Sequence, residues 1–170
     1  MTVFSEDRTY RYTLTRQWQA GRPEGTTVPY QQGCMFVCLN PSTADEHQDD
    51  PTVRRCIGYA KAWGYDSLTL CNLYGLRSTD PWQLQHHPAP IGPENDEWLQ
   101  YAAAAHHEAH TPVVCAWGNH GEYEGRGAEV AALLAETGPL HVLALNSTGH
   151  PLHPLYAHGS LELQEWWRAT

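Results

Sequence analysis

Four apolar runs punctuate this chain, and each gives way abruptly to polar residues. Cys34-Met35-Phe36-Val37-Cys38-Leu39 leads into Asn40-Pro41-Ser42-Thr43, and Ser67-Leu68-Thr69-Leu70-Cys71 into Asn72-Leu73-Tyr74. Pro112-Val113-Val114-Cys115-Ala116 leads into Trp117-Gly118-Asn119-His120, and Leu140-His141-Val142-Leu143-Ala144-Leu145 into Asn146-Ser147-Thr148-Gly149-His150-Pro151. Short runs rich in Val, Leu and Cys, without clean alternation, predict strands buried on both faces. Between them Val53, Cys56, Ile57 and Ala60 repeat at helical spacing, which predicts a helix from near Thr52 to Trp63-Gly64. Asp50, ahead of Pro51, reads as its cap. Further helices are expected over residues 94–109, 122–136 and 160–168. The alternation in Tyr10-Arg11-Tyr12-Thr13-Leu14-Thr15-Arg16-Gln17-Trp18 predicts a strand at a sheet edge, residues 9–18, followed by a Gly-Pro turn at 21–25. The Pro- and His-rich segment 80–93 is too long for a mere connection.

Strands alternating with helices predict a three-layer α/β/α fold with a parallel sheet, in one domain spanning residues 1–170 with its core at 33–156. In open α/β sheets the ligand crevice lies beyond the carboxyl ends of the strands. The four polar endings should therefore meet there and form a site.

Composition narrows the chemistry. A chain of 170 residues suits one domain with a sizeable core, and no run approaches a membrane span. The N-terminus has neither the basic nor the apolar character of a secretion signal. Five cysteines, Cys34, Cys38, Cys56, Cys71 and Cys115, fall in predicted strands or on a helix's apolar face without a CxxC pair. They read as reduced core residues of a cytoplasmic protein, with no cofactor or metal implied. The net charge is −9, with a single lysine, Lys61, against nine arginines. That balance counts against tight, nonspecific duplex binding, although Arg54, Arg55 and Arg77 follow the first two polar endings as a local basic rim.

Each ending carries a functional reading beside a plainer one. Asn40-Pro41-Ser42 offers an amide to orient a water or substrate oxygen, or is an Asx-Pro turn that starts a loop. Asn72 offers the acceptor and donors that read a nucleobase edge, or satisfies nearby loop backbone. Trp117-Gly118-Asn119-His120-Gly121 permits close ligand approach, or is a strand-to-helix turn with Trp117 in the core. The stiff segment Gly149-His150-Pro151-Leu152-His153-Pro154-Leu155-Tyr156 fixes imidazoles suited to stabilising a departing anion, or is a rigid surface loop. Among Asp45, Glu46, Asp49 and Asp50, Asp45 stays open as a general base and Asp50 is assigned to structure. His106 and His110 lie one helical turn apart but lack HExxH order and a third ligand, so they read as an exposed helix end.

The four endings, in this order, resemble the motif set of the uracil-DNA glycosylase superfamily. Leu39-Asn40-Pro41-Ser42 is similar to its first motif, Asn72 to its base-reading Asn, and Trp117-Gly118 to the Trp-Gly of one branch. Asn146-Ser147-Thr148-Gly149 and His150-Pro151-Leu152-His153-Pro154-Leu155 resemble its last motif. More closely, Leu39-Asn40-Pro41-Ser42-Thr43-Ala44-Asp45, Asp50-Pro51-Thr52-Val53-Arg54-Arg55-Cys56, Ile91-Gly92-Pro93-Glu94-Asn95-Asp96, Ala116-Trp117-Gly118-Asn119-His120-Gly121 and His153-Pro154-Leu155-Tyr156 look like domain-of-unknown-function family 1643 of bacteria and phages. The resemblance implies a four-stranded parallel sheet of order 2-1-3-4, a flanking N-terminal strand and a DNA glycosylase-like hydrolase. Such an enzyme releases an ordinary or modified base from nucleic acid, as in base excision repair. The alternatives are a non-catalytic module that binds a nucleotide or modified base, and a hydrolase of small nucleotides or nucleosides.

On that resemblance Asn40 positions water with Asp45 as base, while His153 or His150 stabilises the leaving base. Asn72, Tyr74, Trp117, Asn146 and Ser42 hold the base. Thr43, Arg54, Arg55 and Arg77 meet the nucleic-acid backbone, and Leu152 or Leu155 fills the gap left by a flipped nucleotide. The first motif carries Asn40 where the most active branch has an acid, so water activation would be weaker or fall to Asp45. The partner so implied is nucleic acid, DNA above all, or a nucleotide, and no membrane.

Overall fold

The computed structural model describes residues 1–18, 33–159 and 162–167. The turn expected at 21–25 lies outside the described residues. Among the described residues seven strands form one sheet in the order β1-β2-β4-β3-β5-β6-β7. They are β1 (Val3–Phe4), β2 (Arg11–Gln17), β3 (Gly33–Cys38), β4 (Ser67–Asn72), β5 (Val113–Cys115), β6 (Leu140–Val142) and β7 (Gln164–Trp167). The β3–β4, β3–β5 and β5–β6 pairs run parallel, whereas β1–β2, β2–β4 and β6–β7 run antiparallel.

This corrects the expected architecture. A seven-stranded mixed sheet replaces the four-stranded parallel sheet of a glycosylase-like three-layer fold. The N-terminal strand is not an edge: β2 pairs with β4 from Leu14↔Leu70 to Gln17↔Ser67, and β1 lies outside it. The expected C-terminal helix over 160–168 is also corrected, because Gln164–Trp167 is a strand paired with Leu140–Val142. Four residues are too few for periodicity to separate helix from strand, and the open edge of β6 decides the outcome.

The helices are α1 (Pro51–Ala62), α2 (Pro81–His86), α3 (Asn95–Glu108) and α4 (Arg126–Ala135). The side chain of Asp50 accepts the Val53 N–H at 2.9 Å, and Pro51 occupies the first turn, where its missing N–H costs nothing. The helix expected over 122–136 divides into a 3-10 segment, Asn119–Gly125, and α4. The long segment 80–93 contains α2, capped by Asp80 through the Trp82 N–H.

Alternation along β3 builds two cores at once. Cys34, Phe36 and Cys38 pack with Val53, Cys56, Tyr59 and Ala60 of α1. Met35, Val37 and Leu39 pack with Leu99 and Ala103 of α3 and Val130 and Leu134 of α4. Every β3 residue is buried, as a strand covered on both faces requires. His106 departs from the exposed helix end expected of it: it is partly buried, with Nδ1 2.8 Å from Thr111 Oγ1 and Nε2 3.1 Å from Thr69 Oγ1. Burial lowers its pKa to about 4. All five cysteines are buried free thiols. Among the described residues, no helix is long and apolar enough to cross a membrane.

Candidate functional site

At the ends of β3, β4 and β5 and in the loop after β6 opens a cavity of about 590 Å³. That volume is typical of small-molecule sites. Hydrogen bonds weld its rim together. Asn40 Nδ2 donates to the carbonyls of Pro41 (3.0 Å) and Ser78 (2.8 Å), and the Ser78 N–H donates to Pro41 O at 2.8 Å. The amide nitrogen of Asn40 is thereby spent on backbone, and its Oδ1 is the acceptor left to the pocket.

Asn72 is the cavity's most telling residue. It is wholly buried, it lines the cavity, and neither Oδ1 nor Nδ2 has a hydrogen-bond partner among the described residues. An amide in such a position costs on the order of 1–3 kcal/mol for each unmet group, and here it leaves a donor and an acceptor free on the cavity wall. The neighbouring Asn95 contrasts with it: its Nδ2 donates to the carbonyls of Asn72 (3.0 Å) and Leu73 (3.1 Å) and fixes the strand end. Satisfying the loop backbone, the plainer role open to Asn72, is performed by Asn95.

Trp117 lines the cavity while its ring is held in the core, edge-on to Trp166 with centroids 5.9 Å apart. The indole lies in a slot floored by glycine: a Cβ on Gly121 would approach Trp117 Cδ1 to 2.1 Å. Gly118, at φ +75°, turns the chain out of β5 and donates its N–H to Pro151 O at 2.9 Å. That bond draws the loop after β6 over the strand ends.

This loop brings His153, Leu152 and Tyr156 to the cavity. The Leu155 N–H donates to His153 Nδ1 at 3.3 Å, which leaves the ring proton on Nε2. Burial lowers the His153 pKa, partly offset by the charge of Asp50, so the ring is a neutral donor at pH 7. The loop is braced from α1: Arg55 donates to Ala157 O at 2.7 Å and to Pro154 O at 3.4 Å, and Tyr59 Oη donates to His158 O at 2.6 Å.

The cavity thus gathers Asn40, Ser42, Asn72, Trp117, Asn146, Leu152 and His153 of the residues expected at the site. The others lie elsewhere. Asp45 is not among the lining residues; its Oδ1 accepts the N–H groups of His47 and Gln48, both at 2.8 Å, and these bonds lower its pKa. Tyr74 is buried in the core on the α3–α4 side, where it donates to Tyr123 O. His150 stands outside the cavity with Nε2 3.4 Å from Glu122 Oε2. Thr43 and Leu155 are exposed away from it, and Arg54 donates to Asp49 O. Arg77 lies over the Phe4 ring and donates to Arg8 O at 3.4 Å.

Sequence reasoning missed Arg11, Asp50 and Tyr156, all of which line the cavity. Arg11 sits in a strand whose alternation hides its role, and its contact with the site exists only once β2 pairs with β4. Asp50 is the only carboxylate on the cavity wall among the described residues, in addition to being the α1 cap. Among the described residues no cluster of three His, Cys, Asp or Glu side chains forms a metal site.

A mixed-sheet α/β protein with a polar-floored pocket at its strand ends is the class these features define. The chain belongs to the family described as "Protein of unknown function (DUF1643)", which matches residues 11–155 and so takes in every strand end of the site. No curated protein and no solved structure matches it.

Proposed function

We propose that this pocket binds a nucleobase and that the protein hydrolyses an N-glycosidic bond. The observation that carries the reading is the buried, unpartnered amide of Asn72 on the cavity wall, which offers the paired donor and acceptor of a base-reading group. The resemblance of its strand-end motifs to those of the uracil-DNA glycosylase superfamily supports the same chemistry.

The chain's own groups fit the steps. Asn40 Oδ1 accepts a hydrogen bond from the attacking water and orients it. An amide cannot take the proton, and Asp50 is the carboxylate within the cavity that can. Asp50 therefore replaces Asp45 as the base in this reading. As the bond from sugar carbon to base nitrogen breaks, negative charge develops on the base. The neutral Nε2–H of His153 stabilises that charge more in the transition state than in the ground state. Trp117 and Tyr156 supply aromatic surface for the ring.

A nucleoside or nucleotide is favoured over a polymer as substrate by two observations. The arginines expected on a nucleic-acid backbone each donate to a carbonyl of the chain itself, Arg55 to two, and the chain carries −9. The test is incubation with nucleosides, nucleotides and oligonucleotides bearing uracil and modified bases. Free base is then read by chromatography and abasic sites by alkaline cleavage. Base release that Asn40→Ala abolishes, with binding retained, is the expected result. Binding without turnover on the whole panel would make the protein a base-binding module.

A further inference from the structure

Arg11 is buried to 1% exposure, yet it lines the ligand cavity. Its one side-chain hydrogen bond among the described residues runs from Nη1 to Ala44 O at 2.9 Å, and Nε has no partner. No carboxylate pairs with it within salt-bridge distance among the described residues. An uncompensated guanidinium in a protein interior costs several kcal/mol unless something anionic or strongly accepting meets it. The surroundings show the strain of that burial. Desolvation lowers its pKa to about 10, which the charge of Asp50 offsets only in part, and it remains a cation at neutral pH. Arg11 lines the same cavity as Cys38, Leu70, Val53 and Asn72, so the cation and the unpaired amide open onto one pocket.

We propose that Arg11 is a specificity-determining and charge-stabilising residue, which selects bases bearing a ring carbonyl oxygen and holds the negative charge when such a base departs. The inference rests on the base-binding reading above. In the cleavage step the bond between the sugar carbon and the base nitrogen breaks with its electron pair going to the base. Conjugation spreads that charge onto the carbonyl oxygen beside Arg11. The water oxygen forms the new bond to the sugar carbon, its proton passes to Asp50, and the same proton later neutralises the base nitrogen. A base without a carbonyl gives the guanidinium no acceptor and leaves a buried cation unpaired, so it binds worse by more than the loss of one contact.

The experiment is calorimetric binding of three free bases, xanthine, uracil and carbonyl-free purine, to the wild-type protein and to Arg11→Gln, Arg11→Lys and Asn72→Ala. A melting curve establishes the fold of each variant. The expected result is that wild-type protein prefers xanthine to purine by roughly tenfold to a hundredfold, the worth of a hydrogen bond to a charged group. Arg11→Gln should erase that preference, because xanthine loses its charged donor and purine no longer leaves a buried cation unpaired; Arg11→Lys should retain part of it, and Asn72→Ala should weaken all three bases. Equal affinity of the wild-type protein for xanthine and purine would overturn the role of Arg11 while leaving base binding intact, and needs no variant to fold. An unchanged preference in a folded Arg11→Gln protein would overturn it as well. Failure of every base to bind the wild-type protein would instead remove the base-binding reading, and this inference with it.

Discussion

Two arginines are buried, one in the α3–α4 layer and one at the cavity beyond the strand ends, and they are treated in opposite ways. On the α3–α4 side, Arg126 is 2% exposed and fully engaged. Its guanidinium meets Asp96, Glu129 at 2.9 Å and the Leu73 carbonyl at 3.0 Å. Burial pulls its pKa down, but the bonds to Asp96 and Glu129 outweigh that and raise it. On the pocket side, Arg11 is as deeply buried, has one carbonyl partner, and its pKa falls. Burial is common to both. Compensation separates a cation that holds elements together from one left open to a ligand. The asparagines repeat the contrast, with Asn95 bonded to two carbonyls beside Asn72 with an idle side chain.

The sharpest break in this contrast is expected at the pocket's neutral histidine. His153→Ala should cost roughly a hundredfold to a thousandfold in turnover with base affinity and melting temperature nearly unchanged, as removal of a preorganised donor does. Steady-state rates beside a melting curve check this. A comparable loss in melting temperature would assign His153 to structure.

Acid should strike the α3–α4 layer through His106. The folded pKa of about 4 lies below the ordinary histidine value of about 6.5, so the unfolded chain binds the proton first. This contribution to stability is fully present above pH 6.5, declines as pH falls, and levels off below pH 4. The loss is on the order of 3 kcal/mol across that window. Urea titrations at several pH values, repeated on His106→Gln, should show a shallower pH slope in the variant.

A direct exchange of the two arginines for an apolar residue sharpens the comparison. Arg126→Met removes a donor from Leu73 O and frees two carboxylates that remain partly exposed, so it should destabilise by about 1–3 kcal/mol. Arg11→Met removes an uncompensated buried charge and should leave the melting temperature level or raise it. Denaturant melts of the two variants decide the matter, and a larger loss at Arg11 than at Arg126 would reverse the assignment of roles.

A local effect of the same order as that of Arg126→Met is expected at the slot for Trp117. Gly121→Ala places a methyl against the indole and should cost on the order of 1–3 kcal/mol through displacement of the ring. Tryptophan fluorescence should shift with it, and an unchanged spectrum and melt would mean that the ring has room to move.

The sequence by itself determined which short segments become buried strands, because apolar runs that are this short, rich in Val and bounded by turn-forming residues are too brief for helices and leave water inside a sheet. It also determined the cap and start of α1, since Asp50 and Pro51 act within one turn of backbone. The polar strand endings were legible for the same local reason, and Asn40, Asn72, Trp117 and His153 line one cavity. Only tertiary structure decided the sheet's edges. β2 and β7 joined it through pairing with distant strands, which turned a parallel expectation into a mixed sheet and a predicted helix into Gln164–Trp167. Tertiary structure also separated like from like. Asp50 reached the pocket and Asp45 closed a turn, Tyr156 came to the cavity and Tyr74 went into the core, and Arg11 was left uncompensated while Arg126 was paired. Residue type sets what a side chain can donate, accept or ionise. Which of those capacities stays unspent depends on neighbours brought from far along the chain, and no local pattern encodes that.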